Sequence, residues 1–173
     1  MSKISDLTGQ ALRDLIGNMS YSKAVLAINA ASAATVKTTG ALAFSINGVQ
    51  LTKAALAAQS IAITHTDDGR VAGNSYVQPA LTTVYYTLGV NAAGTISVTQ
   101  GTYAGQLLIS GQAGSSYAGD GSVPNAPAGY VPFGVMKVAT GAATTFTPAT
   151  TLLDAALVTV TYFDVAVMPA GLL

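Results

Sequence analysis

His65, Asp67 and Asp68 form the one place in this sequence where a base and carboxylates lie close together. An imidazole beside carboxylates can transfer protons or help to bind a metal ion. The chain has no second histidine and no cysteine, so further nitrogen or sulfur ligands are missing. Gly69 and Arg70 follow directly and favour a turn exposed to solvent. We therefore predict a solvated loop over residues 65–74, with no catalytic role.

The other residue patterns that could support catalysis or ligand binding are incomplete. No serine lies in a Gly-x-Ser-x-Gly elbow, and a hydrolase would have to use His65 as its base. The glycine-rich segment 110–114 is followed by no Lys or Arg that could hold a phosphate. The chain contains no Glu, so a calcium loop closed by a bidentate Glu is excluded. We predict a protein that is not an enzyme and has no metal or cofactor.

The low charge is the most informative property of the composition. Seven basic residues balance seven aspartates, and charged residues make up 8% of the chain, against about 25% in an ordinary soluble domain. A free monomer needs a charged surface to stay soluble, and a net charge near zero promotes association. The composition therefore predicts that neighbouring subunits cover much of the surface.

The same composition argues against several other partners. Scattered Lys and Arg residues provide no positive patch for nucleic acid. No stretch of 18 or more apolar residues could span a membrane. Charged residues interrupt the N-terminus, which is unlike a signal peptide, so we expect a product made in the cytoplasm. Without cysteine, packing has to provide the stability.

Residues 1–33 are predicted to form a helical arm. Apolar residues recur there at helical spacing, which indicates an amphipathic helix over residues 4–19. They are Ile4, Leu7, Leu12, Leu15, Ile16 and Met19. After Gly17, Ser20 or Ser22 is suited to cap a second short helix that carries Val25, Leu26 and Ile28.

Residues 34–173 are predicted to form a mainly β domain, an antiparallel β sandwich or barrel. Asn47-Gly48 separates two apolar segments and favours a tight hairpin turn. Residues 82–88 and 95–98 are predicted to pair as a second hairpin. A further strand is expected at 60–64, and a long loop at 110–129. Apolar runs follow at 130–138 and 158–167.

The tyrosines leave two interpretations open, because tyrosine combines an apolar face with a polar tip. They could stack on a carbohydrate, or they could pack in the core and at subunit interfaces, which is the commoner use. The residues in question are Tyr76, Tyr85, Tyr86, Tyr103, Tyr117, Tyr130 and Tyr162.

Several phrases of the sequence resemble virion structural proteins of tailed bacteriophages. They are KTTGALAFSINGVQLTKAALAAQSIAIT at 37–64, YYTLGVNAAGTISVTQG at 85–101, PNAPAGYVPFGVMKVAT at 124–140 and FTPATTLLDAALVTVTYFDV at 146–165. Such proteins are β modules rich in Ala, Thr and Gly that decorate or cement the capsid, or form head or tail fibres, commonly as trimers. The resemblance implies a location in the virion.

The leading hypothesis is a trimeric capsid decoration or cement protein that binds the major capsid protein and stabilises the head. The arm and the loop at 110–129 are its candidate interface segments. The residues proposed to make contact are Leu7, Leu12, Leu15, Ile16, Met19, Tyr117 and Tyr130. A head-fibre or tail-fibre base is the alternative of the same class, and a carbohydrate-binding module is the alternative of another class.

Overall fold

The computed structural model describes residues 17–66, 77–102, 104–105 and 121–166. Regular structure within these ranges consists of β-strands. They are β1 (Met19–Ser20), β2 (Leu26–Ile28), β3 (Thr35–Thr38), β4 (Leu42–Ile46), β5 (Val49–Lys53), β6 (Gln59–Ser60), β7 (His65–Thr66), β8 (Thr82–Asn91), β9 (Ile96–Gln100), β10 (Ala104–Gly105), β11 (Tyr130–Thr140) and β12 (Val158–Asp164). The prediction of a mainly β protein is confirmed for the described residues.

Six strands form the main sheet, in the order β12-β11-β8-β9-β7, with β10 also paired to β8. Neighbours run antiparallel except β7, which pairs parallel to β9. The two longest strands, β8 and β11, lie at the centre and are paired along most of their length. Their β-branched and aromatic residues alternate between the two faces of the sheet, which suits a strand with a buried side.

Two three-stranded sheets complete the described structure, in the orders β1-β4-β5 and β2-β3-β6. Phe44 and Leu42 of β4 and Val36 of β3 are buried in one hydrophobic core with residues of β8 and β11. The main sheet has separate ends at β12 and β7. The described sheets therefore do not close into a barrel, and that part of the fold prediction is wrong.

Both predicted hairpins are confirmed. Asn47 and Gly48 have φ angles of 50° and 73° between β4 and β5, which is the left-handed backbone that a two-residue hairpin turn requires. In the second hairpin, β8 and β9 pair with Leu88 opposite Val98. The side chain of Asn91 accepts hydrogen bonds from the amides of Ala93 and Thr95, at 3.1 and 2.8 Å, and so closes the turn.

The predicted second helix, over residues 20–28, is wrong. These residues instead supply β1, which pairs with β4, and β2, which pairs with β3. Leu26 is 6% exposed, and its amide donates to the carboxylate of Asp164 at 3.0 Å. Contacts far along the chain thus decide the local conformation. The first helix falls mainly on residues 1–16, outside the described residues, while Met19 at its predicted end lies in a strand.

Two further predictions need correction. The strand expected at 60–64 is shifted, because β6 covers Gln59–Ser60 and residues 61–64 have no regular structure. Ile61 is nevertheless fully buried, so the apolar spacing reflected burial and not strand pairing. His65, expected in a loop, belongs to β7.

Candidate interaction surface

The two faces of the main sheet differ in what covers them. On the inner face, Val84 and Tyr86 of β8 and Met136 and Val138 of β11 have no exposed surface and belong to the core. The alternate residues form the outer face. One row across this face runs from Tyr85 of β8 through Lys137 of β11 to Thr161 of β12. The inner face therefore stabilises the fold, and the outer face is the candidate for contact with partners.

Segment 121–127 covers the part of the outer face above β8 and β9. The Thr87 hydroxyl donates to the carbonyl of Pro124 at 2.7 Å. A Cβ atom at Gly89 would lie only 3.3 Å from the Cβ of Ala126, so the absence of a side chain allows the segment to approach closely. Thr87 and Gly89 are buried as a result.

The outer face at β12 is open to solvent among the described residues. Thr159 and Thr161 are exposed, and the exposed fraction of Phe163 is 45%. On the neighbouring strands β11 and β8, the ammonium of Lys137 lies 5.8 Å from the centre of the Tyr85 ring, a distance at which a cation is attracted to an aromatic face. We call Thr159, Thr161 and Phe163 the β12 surface.

The backbone of β12 is hydrogen-bonded on one side. Gly141 donates to the carbonyl of Leu157 at 2.8 Å, and Val165 donates to the carbonyl of Phe133 at 3.1 Å. Bonded pairs alternate along an antiparallel ladder, so the odd-numbered residues of β12 bond to β11. The amides and carbonyls of Val160 and Tyr162 then point away from β11. No strand of the described residues lies on that side.

A polar network lies within the core. The side-chain amide of Gln78 donates to the carbonyls of Thr82 and Val138, at 3.1 and 3.0 Å. Its oxygen accepts from the hydroxyl of Tyr86 at 3.1 Å, and the amide of Gln100 donates to the same hydroxyl at 3.4 Å. Buried polar groups with bonded partners give a core a defined arrangement. Since Gln78 is fully buried, we assign this network to the fold.

His65 is exposed and its ring lies edge-on to Tyr130, with 6.1 Å between ring centres. Its Nδ1 is 3.0 Å from the Thr64 hydroxyl, which itself donates to the carbonyl of Val98. Asp67 and Asp68 lie outside the described residues. The described part of the chain contains no group of three side chains suited to hold a metal ion.

Most of the predicted interface residues lie outside the described residues, namely Leu7, Leu12, Leu15, Ile16 and Tyr117. Two are described, and both are half-buried. Met19 lies in β1 opposite Ser45, and Tyr130 begins β11 opposite Asn91. These two residues belong to different sheets. The interface predicted around them stays a prediction.

The described tyrosines do not line up on one surface. Tyr86 is in the core, and Tyr162 lies opposite Met136 on the inner face. Burial, and secondarily the negative charge of Asp154, raises the pKa of Tyr162 to about 12. Tyr85 and Tyr130 share the outer face but are far apart along it. Tyr130 of β11 lies opposite Asn91, which is six positions beyond Tyr85 along β8. A flat platform for a sugar is therefore not present among these tyrosines.

The β12 surface was missed by sequence reasoning, which treated 158–167 as an apolar run. The strand reads VTVTYFD, with threonines and a phenylalanine alternating with inward residues. That alternation of exposed and half-buried positions is the signal that could have identified it.

The fold defines a class, a mainly β protein built from antiparallel sheets. No family model matches the chain, and no curated protein or solved structure was found to be similar to it. None of the described residues forms a helix of the length and apolar character needed to cross a membrane.

Proposed function

We propose that this chain is a structural protein of a tailed-phage virion, a capsid decoration or cement protein that binds the major capsid lattice and stabilises the head. It acts as a β-sandwich subunit, as a trimer, without catalysis. The observation that carries the proposal is the scarcity of charge on the folded domain. In the described residues the charged side chains are Lys23, Lys37, Lys53, Lys137, Asp154 and Asp164.

A surface of this kind suits permanent contact with other subunits. Large apolar side chains are exposed in the described part of the chain, among them Val49 at 57%, Leu157 at 62% and Phe163 at 45%. Burial of apolar surface is favourable by about 25 cal/mol per Å². Each contact of a small subunit is modest, but several copies tethered in a trimer bind with higher avidity.

The proposed role explains why a surface with so little charge is tolerated, because on the virion it would be covered by other subunits. On a capsid, each copy would add buried area across the junctions between capsomers, and the summed contacts would oppose the internal pressure of packaged DNA. The resemblance of several phrases of the sequence to virion structural proteins of tailed phages supports the same location. A fibre base would use the same surface at another place in the virion.

Electron microscopy of native particles, compared with particles that lack this chain, tests the proposal. We expect density for the β domain on the capsid surface that disappears in the deletion. We also expect the deletion particles to release DNA at a lower temperature, and addition of the purified full chain to restore the original temperature. Absence of the chain from purified virions would overturn the proposal. Density on a fibre would keep the structural role and overturn the capsid location.

A further inference from the structure

The free side of β12 has the properties of a strand that pairs with another strand. An unpaired row of amides and carbonyls is a template for a further strand, and proteins usually protect such edges with Lys, Pro, a bulge or a very short strand. Within Val158–Asp164 there is no Lys and no Pro, and the pairing with β11 is regular over all seven residues. At the start of the strand the amide of Val158 is already bonded, to the carbonyl of Ala155 at 3.0 Å. Over Val160 and Tyr162, within the part of the chain that the structure describes, the edge carries none of the usual protection.

We propose that β12 pairs antiparallel with β12 of a second copy of this chain, about a twofold axis that passes through Thr161. The backbone of Val160 then forms a hydrogen-bonded pair with that of Tyr162 in the second copy, and the symmetry generates the same pair again. Both residues already direct their amide and carbonyl groups to this side, as the bonds of Leu157 and Val165 to their partners require. The inference does not depend on the proposed function, because a twofold contact joins two copies and is an interface separate from the threefold contacts of the proposed trimer.

The side chains are self-complementary in this register. Thr161 faces Thr161 of the second copy, and Thr159 faces Phe163 of the second copy, on a continuous outer face. On the inner side, Val160 faces Tyr162. Threonine pairs and pairs of an aromatic with a β-branched residue are among the favourable cross-strand neighbours. A strand that presents favourable cross-strand partners to its own reversed copy over residues 159–163 favours a second copy over an unrelated strand.

The charges near the edge permit the same arrangement. Asp164 would lie beside Val158 of the second copy, at the opposite end of the paired strands from the other Asp164. Lys137 lies opposite Thr161 on β11. Strands are about 4.8 Å apart, so the two Lys137 residues would be separated by three strand spacings, about 14 Å. That exceeds the Debye length of about 10 Å at 0.1 M salt.

Single cysteine substitutions test the register, because the natural chain contains no cysteine. Thr161 and its symmetry mate form a non-hydrogen-bonded pair, with Cα atoms about 4.5 Å apart, within the range that a disulfide spans. We expect the full-length Thr161→Cys variant to form a covalent dimer under mild oxidation. The matched control is Thr159→Cys, whose mate would lie four residues away along the strand, about 13 Å, and which should remain monomeric on a denaturing gel.

A mixture of two different cysteine variants tests the pair of Thr159 with Phe163 of the second copy. Thr159→Cys and Phe163→Cys variants should form a mixed disulfide with each other and little with themselves. Equal cross-linking of Thr159→Cys and Thr161→Cys, or none at Thr161→Cys in folded protein, would overturn the proposal. If residues 1–16 of the same chain occupy this edge instead, the Thr161→Cys variant would stay monomeric, which also overturns it.

Sedimentation of the cysteine-free protein provides an independent measurement. Thr161→Lys would place two lysines against each other on the twofold axis, next to the two Lys137 residues. We expect the dissociation constant of the dimer to rise about tenfold or more at 0.1 M salt and to recover partly at 1 M salt, where charges are screened. Cooperative unfolding of the variant excludes a folding defect. A natural chain that stays monomeric at high concentration would contradict the pairing, whatever its location in the virion.

Discussion

Thr87 and Thr99 lie opposite each other on β8 and β9, on the same outer face. Among the described residues, only the Thr87 hydroxyl has a hydrogen-bond partner. The Thr87 hydroxyl donates to the carbonyl of Pro124 at 2.7 Å. The Thr99 hydroxyl is buried and has no hydrogen-bond partner in the described ranges. Since a buried polar group without a partner costs about 1–3 kcal/mol, two identical side chains in one cross-strand pair affect stability in opposite directions.

The same substitution at these two sites should therefore have opposite effects. Valine replaces the hydroxyl by a methyl group of similar size. We expect Thr99→Val to leave the free energy of unfolding unchanged or to raise it by about 1 kcal/mol. Thr87→Val should lower it by about 1–2 kcal/mol, because the Pro124 carbonyl loses its donor. Urea unfolding of both variants measures the difference, and equal losses at the two sites would contradict this interpretation.

Gln78 should be the most sensitive polar residue of the core. Gln78→Met keeps the length of the side chain but removes the donors to the carbonyls of Thr82 and Val138 and the acceptor for Tyr86. We expect the free energy of unfolding to fall by about 2–4 kcal/mol, because several buried groups lose a partner together. Gln59→Met is a suitable control, since Gln59 is half-buried and its side chain bonds only to the carbonyl of Ser60 among described residues. Similar losses in both variants would argue against the network.

The hairpins were predictable because their information is local. Asn47-Gly48 favours left-handed torsions through its own chemistry, and the Asn91 side chain closes its turn within four residues. The strand β2 was not predictable in this way. Leu26 packs against Gly134, where a Cβ atom would lie 3.0 Å from its Cδ2, and its amide bonds to Asp164. Both partners are more than a hundred residues away, and a helical pattern read from neighbouring residues cannot include them.

The candidate surface depends on topology even more strongly. The sequence of β12 indicates a strand, but only the sheet order places that strand at an edge. Likewise, Tyr85 and Tyr86 are adjacent and chemically identical, yet one lies on the outer face beside Lys137 and the other is in the core. The register of β8 against β11 decides which face of the sheet each tyrosine lies on. Pairing between distant segments therefore decides which residues are available to a partner.

Gly48 tests whether the backbone of the turn between β4 and β5 depends on its own local torsions. Its φ angle is 73°, and a residue with a Cβ atom in this region is less stable by about 1–2 kcal/mol. We expect Gly48→Ala to lower the free energy of unfolding by that amount without changing the strand pairing. Gly48→Asn is the matched variant, because Asn tolerates the left-handed region, and it should cost less. If Ala and Asn had the same effect, backbone strain would not be the cause.

Tyr162 gives the domain a specific loss of stability at alkaline pH. Burial, with a smaller contribution from Asp154, raises its pKa from 10.0 to about 12 in the folded state. The folded protein thus holds the phenolic proton more tightly than the unfolded chain does, so the stabilisation is complete below pH 10 and is lost as the pH rises towards 12. Thermal unfolding of Tyr162→Phe should show a shallower decline over this interval than the natural chain, with little change at pH 7. The difference between the two proteins isolates Tyr162 from the other tyrosines and lysines that titrate there, and parallel curves would contradict the assignment.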